Sequence, residues 1–164
     1  MSQAPFRVAS LDAAIHDRSQ FYSGVPALDR YLREQVSQDI RRHVATCFVA
    51  VDDAHRVVGY YTLASASVPL LSLTNDVRRK LPRYPSIPAV CMGRLAVDVE
   101  FKRKGLGGTL LIDALRRAAG AEIAATVLVV DAKDDHAAAF YVHHGFIALV
   151  DAPLTLFLPL ATVR

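Results

Sequence analysis

Cysteine is nearly absent. The chain has two in 164 residues, Cys47 and Cys91, far apart and each inside an apolar run. That pattern offers no disulfide framework, and buried free thiols in a reducing cytoplasm are expected. No apolar stretch is long enough to cross a bilayer, because charge or proline interrupts every candidate, so no membrane association is expected. The opening residues, Met1-Ser2-Gln3-Ala4-Pro5, lack the basic-then-apolar order of a secretory signal. Linkers, repeats and low-complexity tracts are missing too, and residues 1–164 are read as one domain. Net charge is only +3, which by itself names no partner. No Gly-Lys-Ser/Thr closes a Walker loop, and no third glycine completes a dinucleotide fingerprint. The histidines lack partners at ligand spacing, so no metal is expected.

What is present is apolar: 52% of residues, enough for a thick central layer. Phe6-Arg7-Val8 suggests a first strand. Val25, Leu28, Leu32, Val36 and Ile40 recur at helical spacing, with Ser23 or Gly24 as cap and Pro26 in the first turn. Ala45–Val51 and Val57–Ser67 read as strands around the turn Asp52-Asp53-Ala54-His55. Thr74 or Asn75 caps a short basic helix. Ile87–Val97 reads as a central strand buried on both faces, and Ala124–Val130 as its parallel neighbour. Between them runs a helix with Leu106, Leu110, Leu111, Ala114, Leu115 and Ala118 on one side, and Asp113 and Arg117 on the other. Asp134 and Asp135 start a further helix that Gly145 stops, with Phe146 folding back on Phe140. Leu154–Leu160 is the last strand. The class is α/β, with a βαβ unit and antiparallel hairpin material in one mixed sheet.

Chemistry concentrates between Arg94 and Gly108. A strand ends at Asp98, and Lys102-Arg103-Lys104-Gly105-Leu106-Gly107-Gly108 opens a helix. Glycines let backbone approach a ligand, and a helix N-terminus offers unpaired N–H groups and a positive dipole end. Three cations stand beside them. The segment suits a pyrophosphate, although glycines also make plain tight turns.

Lys102-x-x-Gly105-x-Gly107 resembles the Gln/Arg-x-x-Gly-x-Gly/Ala signature of the GNAT superfamily of acetyl-CoA-dependent N-acetyltransferases, with lysine keeping a cation at the first position. Arg94-Leu95-Ala96-Val97-Asp98 and Phe140-Tyr141-x-x-x-Gly145-Phe146 extend the likeness over nearly the whole chain. It implies a GNAT fold, a central mixed sheet with a splayed parallel strand pair flanked by helices. It also implies acetyl-CoA as co-substrate. Amides near Leu95, Ala96 and Val97 would take the pantetheine arm, and Lys102 with the amides of Arg103, Lys104, Gly105, Leu106, Gly107 and Gly108 the pyrophosphate. Tyr141 would protonate the departing thiolate; on the residues alone, a core tyrosine is the competing reading. Arg94, costly inside an apolar strand, either pairs with a carboxylate such as Asp98 or Asp131 or meets an anionic substrate. Glu100 reads as a salt-bridge partner, not a general base.

Phe21-x-Ser23-Gly24-x-Pro26-Ala27-Leu28-x-x-Tyr31-Leu32 and Val58-Gly59-Tyr60-Tyr61-Thr62-Leu63-Ala64 further resemble the acetyltransferase toxins of bacterial type II toxin–antitoxin pairs. Tyr22-Ser23-Gly24 stands where those usually carry Asp-Cys-Gly. The resemblance implies acetylation of the α-amine of aminoacyl-tRNA, arrest of translation, a homodimer and a ribbon-helix-helix antitoxin. Arg33, Arg41, Arg42, Arg78, Arg79, Lys80 and Arg94 are the candidate RNA contacts, against the plainer reading of solvated helix faces. A small amine or protein amino group as acceptor, or a CoA-binding module without turnover, are the alternatives.

Overall fold

Helical period, alternation and turn residues divide residues 6–163, the part of the chain this computed structural model describes, into short elements. In chain order these are β1 (Arg7–Ser10), α1 (Pro26–Arg30), α2 (Val36–Arg41), β2 (Thr46–Val51), β3 (Val57–Pro69), α3 (Asn75–Arg78), β4 (Ser86–Val97), α4 (Leu106–Ala119), β5 (Val127–Asp131), α5 (Asp135–His143), β6 (Ile147–Leu149) and β7 (Ala152–Pro159). The strands hydrogen-bond in the order β1-β2-β3-β4-β5-β7-β6. The sheet is mixed, with β4 and β5 parallel. Two compact units divide the chain: the first runs to Ala64 and includes Arg94–Ala114, and the second takes Ser65–Gly93 and the chain from Leu115.

In the first unit, β1, β2 and β3 form an antiparallel meander. The period-3.6 apolar face of residues 26–41 covers it: Tyr31, Leu32 and Val36 are buried with Phe21, Cys47, Val49, Tyr60 and Ala96. This helix is not uniform, because a π-turn at Tyr31–Gln35 separates α1 from α2. The Arg18 guanidinium donates into that turn, to the Leu32 carbonyl at 2.9 Å and to Ser37 Oγ at 3.2 Å. Neither Ser23 nor Gly24 caps α1. Val25 is the N-cap residue and its side chain makes no capping bond, while the Ser23 hydroxyl donates to Asp29 Oδ1 at 2.6 Å. The same hydroxyl oxygen accepts the Val25 amide at 3.1 Å, one residue short of the helix's own N–H groups.

The first turns of α4 lie directly on β3. A Cβ at Gly59 would fall 2.8 Å from Leu110 Cδ1 and 3.3 Å from the Ala96 carbonyl, so only glycine admits the helix this close. Leu106, Leu110, Leu111 and Ala114 are buried as the periodicity predicts, and the Tyr61 hydroxyl donates to Asp113 Oδ2 at 2.5 Å.

In the second unit, Val68, Leu70, Leu73, Ile87, Ala89, Val127, Val129 and Phe157 form the core. The parallel register pairs Ala89–Met92 with Val127–Val130. β4 itself differs from the expected doubly buried strand. Ile87 and Ala89 are buried while Ser86, Pro88 and Gly93 are exposed, and Cys91 is half-buried. Alternation in burial means one face of this stretch lacks a full cover. Residues 124–126 stay outside β5, and a three-residue strand, β6, was not anticipated: it pairs antiparallel with β7. Its brevity left no alternation to read.

Candidate active site

Everything in the stretch 94–108 is fastened by Asp98, which is 1% exposed. Its Oδ1 accepts the Glu100 amide at 3.0 Å, an Asx cap that starts the single turn Val99–Phe101. Its Oδ2 accepts the Tyr22 amide at 3.0 Å and Arg56 Nη2 at 3.3 Å. The Asp98 amide donates to the Val58 carbonyl at 2.9 Å, and the Val99 amide to that of Tyr22 at 2.9 Å. One carboxylate therefore joins the end of β4, the loop at Tyr22 and the β2–β3 hairpin. Glu100 takes Arg56 Nη1 at 3.4 Å, the expected salt bridge.

The loop then curls. Arg103 has φ of 65° and Gly105 of 77°, two left-handed residues two positions apart. Turns of this kind point successive N–H groups into one concavity, a nest for anions. Gly105 is needed for its φ and not for space, since a Cβ there meets nothing within 4 Å. The first N–H groups of α4 have no partner one turn back. Lys102, Arg103 and Lys104 are exposed, Leu106 is buried, and Gly107 and Gly108 are half-buried. The three cations differ in use. Lys102 Nζ donates to the Ser23 carbonyl at 2.8 Å and ties the loop down, Lys104 lies over the Phe101 ring at 5.3 Å, and Arg103 occupies the turn.

Upstream, Leu95 and Val97 are half-buried and Ala96 is buried. Arg94 is half-buried and pairs with neither Asp98 nor Asp131. Its guanidinium lies 3.5 Å from the centre of the Tyr31 ring, and among the described residues it donates to no protein acceptor. Asp98 is already committed to Arg56, and Asp131 accepts from Thr155 at 2.7 Å. Of the other basic candidates in this unit, Arg33, Arg41 and Arg42 are exposed, with Arg33 Nη1 donating to the Phe21 carbonyl at 2.6 Å.

In the second unit, Asp134 caps α5 by accepting the Ala137 amide at 2.8 Å. The helix ends in a Schellman motif: Gly145 has φ of 95°, the Phe146 amide donates to the Tyr141 carbonyl at 3.1 Å, and the Gly145 amide to that of Val142 at 3.0 Å. That geometry places the second residue past the cap over the third from the end. Phe146 accordingly packs on Tyr141, ring centres 5.5 Å apart, and not on Phe140 as expected. The Tyr141 ring is buried, also against Phe140 at 5.2 Å. Its hydroxyl makes no hydrogen bond among the described residues, so the backbone-bonded core tyrosine is not what is found. Burial pushes the phenol up to about 12. In this unit Arg78 ends α3 and Arg79 and Lys80 follow it, Arg78 donating to Asn75 and Arg79 to Asp76 at 2.6 Å.

Asp98 as a fastening, Arg56 as its partner and Tyr31 as a platform were not picked out by sequence reasoning. An aspartate two residues ahead of a short turn is a legible cap signal; a hairpin arginine and a helical tyrosine carry none.

Residues 43–148 match the family described as Acetyltransferase (GNAT) domain. Over 163 residues the chain is 39% identical to a tRNA-acetylating toxin of Mycobacterium tuberculosis, covering 98% of this chain and 94% of that protein. The structure of AtaT complexed with acetyl-methionyl-tRNAfMet superposes with a TM-score of 0.89 at 28% identity, over 96% of both chains. A tyrosine mutant of AtaT bound to acetyl-CoA and the C-terminus of the antitoxin AtaR gives a TM-score of 0.83 at 25% identity, over 98% of this chain and 96% of that one.

Proposed function

The chain belongs to the GNAT acetyltransferases, and from that premise we propose that it is a toxin whose acceptor is the α-amine of aminoacyl-tRNA. The activity of the family is transfer of an acetyl group from acetyl-CoA to an amine. The acceptor reading is carried by one observation, the 39% identity to a tRNA-acetylating toxin along 98% of the chain. The likeness to AtaT in its complex with acetyl-methionyl-tRNAfMet supports it.

The residues take these roles. The nest at Arg103–Gly105 and the start of α4 hold the pyrophosphate of acetyl-CoA, and the end of β4, Leu95–Val97, holds the pantetheine arm. The neutral acceptor amine attacks the thioester carbon. Oxyanion charge builds on the carbonyl oxygen, and an amide near Leu95 stabilises it. As the carbon–sulfur bond breaks, Tyr141 gives its proton to the thiolate; bulk solvent takes the proton released by the amine and returns one to the Tyr141 phenolate. No residue forms a covalent intermediate. An antitoxin of ribbon-helix-helix type, a homodimeric state and cytoplasmic action complete the proposal. Among the described residues no helix is long and apolar enough to cross a membrane. The two units are read as halves of one catalytic domain, because the family match takes residues from both.

The test is transfer of labelled acetyl from acetyl-CoA to bulk aminoacyl-tRNA by the purified protein. Label on charged tRNA, and none on deacylated tRNA, is the expected result. Acetyl-CoA binding with no label on any tRNA would overturn the acceptor and send the search to small amines and protein amino groups.

A further inference from the structure

Arg94 is a half-buried charged side chain of the candidate site that donates to no protein acceptor among the described residues. A half-buried cation normally rests on a carboxylate. Four carboxylates of the first unit are engaged elsewhere, Asp98 with Arg56, Asp29 with Ser23, Asp39 with Tyr31 and Asp113 with Tyr61, and none of them makes an ion pair with Arg94. What Arg94 has instead is a surface. Its guanidinium stacks at 3.5 Å on the buried Tyr31 ring, which is itself held by the hydroxyl's 2.7 Å bond to Asp39. Tyr31 begins the π-turn, and Arg18 braces that turn through the Leu32 carbonyl. Asp39 accepts a bond from the tyrosine and lends no direct ion pair to the arginine, so the positive charge remains available. Stacking fixes the plane of the guanidinium and leaves its edges, with their fork of N–H donors, for a ligand. Arg94 also stands next in the chain to Leu95, about 3.8 Å away from Cα to Cα, where the reading above places the acyl donor.

We propose that Arg94, laid flat on Tyr31, is a preformed receptor for one phosphodiester of the substrate's acceptor end, gripping it bidentately beside the reacting ester. The proposal rests on tRNA being the acceptor. It separates this arginine from the exposed Arg33, Arg41 and Arg42, whose contribution is diffuse charge. A bidentate fork on a rigid platform suits a tetrahedral phosphate better than a lone ammonium does, so lysine is a poor substitute.

The experiment uses Arg94→Met and Arg94→Lys with two acceptors: an aminoacyl-tRNA, and the same amino acid esterified to adenosine, which has no phosphate. For Arg94→Met the expected result is a KM for aminoacyl-tRNA raised about 10- to 100-fold, the range for a lost charge-assisted hydrogen-bond pair. The slope of log affinity against log salt should become shallower by about one. Transfer to the adenosine ester and the dissociation constant of acetyl-CoA should not change. Arg94→Lys should restore the salt slope and not the KM. Equal losses on both acceptors would overturn the proposal in favour of a structural role, and weakened acetyl-CoA binding would assign the arginine to the donor's phosphates. If the unaltered protein acetylates no tRNA, the acceptor reading is what fails. Binding of deacylated tRNA then decides for Arg94: a salt slope shallower by about one in Arg94→Met supports the receptor, and an unchanged slope overturns it.

Discussion

The loop that follows β4 and the end of α5 solve opposite problems. Around residues 94–108 a single buried carboxylate gathers two amides and a guanidinium, and two left-handed residues curl the backbone. At α5, two aromatic rings pack against the Tyr141 ring, and among the described residues its hydroxyl makes no hydrogen bond. The proposed pyrophosphate site would need many donors fixed in direction, and its region is rich in polar fastenings. The proposed proton donor would need its hydroxyl kept unshared, and its region is packed with apolar groups. A polar network at Tyr141 would compete for the proton, and an apolar loop at residues 103–105 would leave nothing for phosphate.

The largest effect should come from breaking the apolar half. Tyr141→Phe removes the donor and keeps the ring, so turnover should fall about 10²- to 10⁴-fold, the usual worth of a general acid. The acetyl-CoA dissociation constant should hold within error. With the phenol pushed up to about 12 it stays protonated through neutral pH, so it should impose no falling limb on the rate profile below pH 10. Single-turnover rates across pH 6–10 check both; equal rates for mutant and parent would remove the acid role. The mirror experiment is Gly107→Glu, which puts a carboxylate where the proposed nest takes phosphate. Acetyl-CoA affinity should drop at least about 100-fold, from like charge and a blocked approach together. Calorimetry that finds affinity retained would displace the loop from its role.

The same contrast explains what was readable beforehand. The buried face of α4, the cap at Asp134 and the stop at Gly145 follow from spacing and residue type, because each is a local rule satisfied by neighbours in the chain. The loop at Lys102–Gly108 was legible for the same reason. Arg94 was recognisable as a misfit, but not its resolution: the Tyr31 platform lies 63 positions away in sequence, and a cation–π contact leaves no pattern. Asp98 and Arg56 meet across 42 positions. The π-turn inside residues 26–41 escaped because the apolar period on either side of it stays close to helical. Phe146 went to the wrong partner because contact was judged by spacing alone, whereas the Schellman geometry of the helix end decides it.

Two further changes sharpen the comparison through stability. Asp98→Ala leaves Arg56 with Glu100 alone and releases the Tyr22 and Glu100 amides, so unfolding free energy should drop by about 2–4 kcal/mol, the range for a buried charged hydrogen-bonding group. Denaturant titration measures it, and a loss below about 0.5 kcal/mol would deny Asp98 its fastening role. The accompanying acetyl-CoA affinity should also fall, because the nest loses its anchor; the corresponding loss at α5 should not occur.

The smallest effect is a titration. Burial raises the Cys47 thiol from 9.0 to about 12, and the phenols of Tyr31 and Tyr141 from 10.0 to about 12. In each case the folded chain holds the proton more tightly than the unfolded one. Above the unfolded value, the unfolded chain sheds protons that the folded chain keeps, and stability falls as pH rises toward the folded value. Cys47 belongs to the first unit and starts alone, from pH 9; the tyrosines join from pH 10. Melting temperature should therefore be flat from pH 7 to 8.5 and decline from about pH 9. Cys47→Ala should lower the whole curve by the cost of the cavity while delaying the start of the decline by about one pH unit. Parallel curves for parent and mutant between pH 9 and 10 would mean that the Cys47 thiol is not what alkali attacks first.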